Sequence, residues 1–227
     1  MRYPAMERGT FLDRPNRFIA HVARNGQTLR CHVKNTGRCK ELLVPGAMVG
    51  IQHAPSPTRS TEWDLISVQK GARLINMDAA APNRVFGEWA RAGGFLPGLT
   101  LIKSETVHGD SRFDFYMETA EKRIFAEIKG VTLEEDGVAR FPDAPTLRGV
   151  KHLRGLADCV RQGYEAWAVF IVQMEGVRYM EANRRTHPEF ADAMMEAQKA
   201  GVHLLAMDCR VDWDLLEIRA PVEVWLR

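Results

Sequence analysis

The sequence predicts an α/β chain, α+β overall, made of an N-terminal OB-like β-barrel and a C-terminal mixed-sheet domain. Three observations carry this reading. Short alternating strands separated by turn residues fill the first third, and strands alternate with amphipathic helices in the second half. Between them the stretch AAAPN, 79–83, interrupts the pattern, which places the barrel in 1–80 and the α/β domain in 81–227.

RFIAHVA (17–23) and QTLRCHV (27–33) flank Asn25-Gly26, a two-residue hairpin turn. AMVGIQHA (47–54) and TEWDLISVQ (61–69) flank a loop with Pro and Ser, and RLINM (73–77) follows Gly71. Five such strands suit a small OB barrel, with a half-open sandwich as the alternative. Pro82 and Asn83 open a helix to about Ala92, stopped by Gly93-Gly94, with Val85 and Trp89 on its apolar side. LTLIKSETV (99–107) reads as a strand. A helix is expected from Leu147 to Gln162, with Thr146 as N-cap and Gly163 as stop. Val150, Leu153, Ala157 and Val160 form its buried stripe, and Arg148, Lys151 and His152 crowd on a polar flank. WAVFIVQ (167–173) is a buried strand, and Pro188 to Ala200 an amphipathic helix. VHLLAMDC (202–209) and LLEIR (215–219) complete the sheet.

The 227 residues, 45% hydrophobic and 26% charged, describe an ordinary globular protein. No window offers the ~18 consecutive apolar residues of a membrane span, and no membrane partner is expected. MRYPAMERGTFLDR lacks the apolar core of a secretory leader. Cys31, Cys39, Cys159 and Cys209 show no C-x-x-C spacing and read as reduced thiols of a cytoplasmic protein. The net charge of +2 is uneven: residues 1–60 carry +7 and the remainder −5. A basic first third suits a polyanion, and an acidic remainder suits metal ligands or plain solubility.

The stretch FDFYMETAEKRIFAEIK, 113–129, reads as a hairpin turning at Thr119-Ala120-Glu121-Lys122. Phe113, Phe115 and Met117 then share one face with Ile124, Ala126 and Ile128. Asp114 and Tyr116 share the other with Phe125, Glu127 and Lys129. The turn sets Asp114 opposite Glu127. Like charges so placed destabilise a sheet, so a cation is expected beside them: Lys129, Arg112 or a metal ion. Because Tyr116 and Phe125 fall on the charged face, that face is expected to pack against something.

Two converging carboxylates bind a hard divalent cation, and Mg2+ needs few protein ligands. The expected cofactor is Mg2+, with Mn2+ as a substitute, held by Asp114, Glu127 and the carbonyl of Ile128. Lys129 is placed to hold an attacking water or the transition-state charge. This is the D…E-x-K arrangement of PD-(D/E)xK nucleases; the competing reading is a solvated, salt-bridged trio. Glu88, on the preceding helix, is a further candidate metal ligand. Arg148 and Lys151 are candidates for gripping phosphate. Pro142-Asp143 follows the E-x-K instead of preceding it, so Asp143 reads as a turn residue or an extra ligand. Gln173 is a strand-end hydrogen-bonding residue or a group near a scissile phosphate, and His152 a surface-flank residue or a catalyst. Arg30, Lys34, Arg38 and Lys40 surround the turn Asn35-Thr36-Gly37, a candidate phosphate cradle or a solvated turn.

HVKNTGRCKELLVPG, NRVFGEW, SRFDF, EIKGVTL, FPDAPTLRGVKHL and FIVQ occur in that order. Together they resemble the sugar fermentation stimulation protein A family, from about Asn16 to Arg210. Many relatives have Cys-Pro where this chain has Val33-Lys34. The resemblance implies an OB-like domain, a nuclease-like domain, DNA binding and a link to sugar, notably maltose, metabolism. It carries the metal-and-lysine centre onto Asp114, Glu127 and Lys129. The resulting expectation is a Mg2+-dependent nuclease with DNA and/or RNA as partner. The alternatives are a non-catalytic DNA-binding regulator of sugar metabolism and, on the family name alone, a sugar-responsive binding protein.

Overall fold

The computed structural model describes residues 1–35 and 37–226. The first half is a barrel of β1 (Met6–Asn16), β2 (Ile19–Arg24), β3 (Gln27–Val33), β4 (Met48–His53) and β5 (Trp63–Lys70), extended by β6 (Arg73–Asn76). The order β3-β2-β1-β4-β5-β6 closes through a parallel β3–β5 pairing, so the barrel is closed and not a half-open sandwich. Sequence reading missed β1. MERGTFLDRPN buries only Phe11 and carries register shifts after Phe11 and Asp13, so it lacks the alternation that betrays a strand.

The second half begins with α1 (Ala81–Arg91), then β7 (Leu101–His108), β8 (Ser111–Glu118) and β9 (Arg123–Val131). Next come β10 (Leu133–Glu135), β11 (Val138–Phe141), α2 (Leu147–Arg161), β12 (Glu165–Val172) and β13 (Tyr179–Ala182). The chain ends with α3 (Pro188–Lys199), β14 (His203–Asp212), β15 (Leu215–Val222) and β16 (Val224–Trp225). The main sheet runs β15-β14-β12-β9-β8-β7. Its centre, β9, β12 and β14, is parallel, and β7, β8 and β15 run antiparallel to their neighbours. From Ala166 to Val172 strand β12 is apolar because both faces are covered: Ala168 and Phe170 point to one core cluster, Val169 and Ile171 to the other. A second sheet, β10-β11-β13-β16, escaped sequence reading because its strands are two to four residues long.

Helix α2 starts where Thr146 accepts the Gly149 N–H at 3.0 Å, a cap worth about 1 kcal/mol. It ends before Gly163, whose positive φ of 83° suits a residue without Cβ. One hydrophobic cluster runs from the barrel interior (Phe11, Val22, Ile51) to the α2 and α3 side of the sheet (Phe113, Leu153, Phe190); α1 covers the other side with Val85 and Phe86. The halves are also joined by polar contacts. Gln173 accepts the Asn76 N–H at 2.9 Å through its main chain, and its side-chain amide donates to Asn76 Oδ1 at 2.9 Å and the Asp78 carbonyl at 3.1 Å.

All four cysteines are free and buried. Burial pushes the Cys31 and Cys39 thiols up to about 12 and Cys159 to about 11, so they behave as small apolar groups. Among the described residues, no helix is long and apolar enough to cross a membrane.

Candidate metal centre

The β8–β9 ladder runs from Glu118↔Arg123 to Phe115↔Ala126 and ends there, one pair short of Asp114 and Glu127. At that point the Asp114 side chain takes the place of the ladder. Its Oδ2 accepts the Ile128 N–H at 2.7 Å, and its Oδ1 accepts from Asn83 Nδ2 of α1 at 2.9 Å. The alternation expected along β8 breaks here. Phe113 packs on Phe125 (ring centroids 5.2 Å apart) and His152 (6.3 Å), beneath α2, whereas Phe115 packs on Phe86 of α1 at 5.1 Å. Phe113 therefore does not share a face with Phe115 and Met117. The two acids are likewise anchored from opposite layers, Asp114 from the α1 side and Glu127 from the α2 side, and they interact at the end of the ladder.

Glu127 is 3% exposed. Its Oε1 receives Lys129 Nζ at 2.5 Å and the Nδ1 of His152; its Oε2 is buried with no hydrogen-bond partner. Burial opposes the Glu127 charge, yet His152 and Lys129 hold its carboxyl below the ordinary carboxylate range. For Asp114, burial and then the neighbouring Glu127 charge push the carboxyl up, against the pull of the Ile128 N–H, Asn83 and Lys129. The pair thus titrates apart, as two acids sharing one site do. A divalent cation fits this donor set, because Glu127 offers a buried, unpaired carboxylate oxygen beside a second carboxyl group. Among the described residues, no three His, Cys, Asp or Glu side chains form a ready-made metal cluster.

Several expectations need correction. Glu88 is not part of this centre. It lies on the exposed side of α1, more than a turn from Asn83, and pairs with the Met1 ammonium at 2.9 Å. Arg112 pairs with Glu105 of β7 at 3.3 Å and does not neutralise the two acids. His152 is buried, not on a surface flank: α2 turns it inward onto Glu127, and its Nε2 accepts from Arg148 Nε at 3.4 Å. Lys34 is committed to the buried Asp78 at 2.7 Å. Gln173 joins the two halves.

Arg148 and Lys151 are exposed on the first turns of α2, and Arg38 and Lys40 on the barrel loop. Arg30 is exposed and reaches Ser60 at 3.4 Å. Thr36, in the candidate phosphate-cradling turn, lies outside the described residues. The flanking loop is shaped by Arg14, which sequence reading passed over. Its guanidinium donates to the carbonyls of Asn35, Gly37, Arg38 and Arg17 at 2.7–2.9 Å. Asp143 closes over this loop from the other half, so near that a Cβ at Gly37 would collide with its carboxylate. A cavity of about 110 Å³ lies beside them, lined by Asn35, Gly130, Arg140, Asp143 and Gln173 among others. Asn83 was also missed as a site residue; Asn after Pro reads as a helix start, and nothing local reveals that its amide holds Asp114.

The fold defines a class: an OB barrel joined to an α/β domain built on a mixed sheet. Residues 12–77 match the family model described as the SfsA N-terminal OB domain, and residues 80–214 the one described as the sugar fermentation stimulation protein RE domain. The chain belongs to the sugar fermentation stimulation protein family. It is 53% identical over 226 residues to a protein of Ruminiclostridium cellulolyticum named as a sugar fermentation stimulation protein homolog, with 100% of each chain covered. A homolog from Clostridium tetani is 41% identical over 97% of each chain. A solved structure described as Pyrococcus furiosus SfsA in complex with Ca2+ superposes with a TM-score of 0.89 at 27% identity, covering 99% of this chain and 98% of that one.

Proposed function

We propose that this chain is a divalent-cation-dependent nuclease that hydrolyses phosphodiester bonds in DNA or RNA. The observation that carries this reading is Glu127 Oε2, a charged oxygen buried without a partner beside Asp114. Such an atom is costly unless an ion satisfies it. Asp114 and Glu127 would hold the cation, Mg2+ or Mn2+, with the Ile128 main chain at the same spot. When bound, the cation supplies Lewis acidity toward a phosphoryl oxygen and a more acidic water. Lys129, tied to Glu127, holds its ammonium where charge develops on the phosphate. Arg148 and Lys151 grip phosphate, and Arg38 and Lys40 guide the strand along the basic barrel. The Ca2+ of the related Pyrococcus furiosus structure supports a hard-cation site in this family.

The test is incubation of purified protein with labelled single- and double-stranded DNA and RNA plus Mg2+ or Mn2+. Cleavage is expected in the wild type, none in EDTA, and a loss of about 100-fold or more in Asp114→Asn and Glu127→Gln. Salt-sensitive binding that is indifferent to chelator, with no cleavage, would replace this reading with that of a non-catalytic nucleic-acid-binding regulator.

A further inference from the structure

We propose that His152 is a positioning residue that presents Glu127 Oε2 to the cation and links that presentation to phosphate held by Arg148. The inference rests on the metal reading above. A carboxylate at the end of a flexible side chain can exchange its two oxygens by rotation. Lys129, a point donor on a four-carbon stem, cannot fix the plane of that group alone. The His152 ring can, because it is a planar donor on a rigid helix, buried at 5% exposure and packed near Phe113. With both Lys129 and His152 on Oε1, the second oxygen is left free and buried.

Arg148 completes the device. It lies four residues before His152, so the two meet on one face of α2. Its Nε donates into His152 Nε2, and an arginine only donates, so the ring proton sits on Nδ1, facing Glu127. This contact uses one of the five guanidinium N–H groups, and Arg148 is exposed, so the remaining donors are available to a phosphate. A phosphate on Arg148 and a cation on Glu127 thereby share one ring, and each favours the other's site.

The experiment is calorimetric titration of the full chain with Ca2+, without nucleic acid, for the wild type and for His152→Leu, His152→Asn, Arg148→Ala and Glu127→Gln. His152→Leu is expected to weaken Ca2+ binding about 10–100-fold, the usual cost of losing a residue that orients a metal ligand. His152→Asn, which keeps an N–H near the Nδ1 position, is expected to restore most of it. Thermal melting of the same variants separates this from a folding defect: both replacements lose the packed ring, but only one loses the donor. Arg148→Ala is expected to weaken binding in the wild-type background and to change nothing further in His152→Leu. Wild-type binding that needs Glu127 but is unchanged in His152→Leu overturns the role of His152 and leaves the metal reading standing. A wild type that binds no Ca2+, or binding unchanged in Glu127→Gln, overturns both.

Discussion

Asp114 is fastened to Ile128: its Oδ2 accepts the Ile128 N–H at 2.7 Å, so the first acid of the centre is held by the strand that carries the second. The contact is structural as well as chemical. Asp114→Asn keeps an acceptor and the shape while removing charge. It should melt within a few degrees of the wild type and lose cleavage about 100-fold or more, the order of loss when a group serving transition-state charge is removed. Asp114→Ala should in addition lose about 1–3 kcal/mol of stability, because the Ile128 N–H then lacks its acceptor. Urea unfolding beside the cleavage assay separates the two effects.

Glu134 of β10 is gripped from the barrel by Lys70 at 2.8 Å and Arg73 at 3.0 Å. Burial opposes its charge, but Lys70, the Gly137 N–H and Arg73 hold its carboxyl below the ordinary range. A depressed folded-state value contributes stability that is present above the unfolded value, about 4.3, and lost as pH falls through the folded one. Glu134→Gln should therefore cost about 2 kcal/mol at neutral pH, with the gap to wild type closing in acid. Urea titrations at neutral pH and near pH 3 test this; a gap independent of pH would refute it.

Lys34 and its neighbours on the basic loop should separate cleanly. Lys34→Met leaves the buried Asp78 carboxylate without its cation and should cost about 3 kcal/mol. Arg38→Ala and Lys40→Ala should leave the melting temperature unchanged. Each should lower the slope of nucleic-acid affinity against salt by about one unit for every phosphate it no longer neutralises. Melting curves and binding titrations across salt concentrations read both effects.

Gln173 should behave as a joint between the halves and not as a catalyst. Gln173→Leu removes two hydrogen bonds between the halves, to Asn76 Oδ1 and to the Asp78 carbonyl, and should cost about 1–3 kcal/mol, although Asn76 Oδ1 keeps the Asp78 N–H. Calorimetry is expected to show the barrel and sheet unfolding less cooperatively, with cleavage at low temperature retained. Cleavage abolished in a folded Gln173→Leu would assign it to the chemistry instead.

Much of this protein is legible in its sequence. The short strand-like runs 27–33 and 61–69 between turn residues, the Asn25-Gly26 turn, the Thr146 cap and the apolar run 167–172 are local physical signals, and each corresponds to a strand, turn or helix end. The hairpin's register also follows from its turn length, but the ladder stops at Phe115 and Ala126, and Asp114 and Glu127 are held from opposite sides of the sheet instead of pairing on one face. Strand β1 was hidden because its bulges erase the alternation, and Phe113 was assigned to the wrong face because a strict period of two cannot foresee where a strand departs from it.

The residues that complete the centre come from elsewhere in the chain. Whether His152 faces solvent or Glu127, whether Glu88 joins the acids or the amino terminus, and whether Lys34 is free or bound to Asp78 are matters of which layer packs on which. The sequence by itself determined most of the elements, though not β1 or the second sheet, together with the two-part division and the D…E-x-K spacing, because these arise from neighbours in the chain. Only the tertiary structure decided which charges are partnered and which oxygen is left bare, because burial and long-range contact set the cost of every charge.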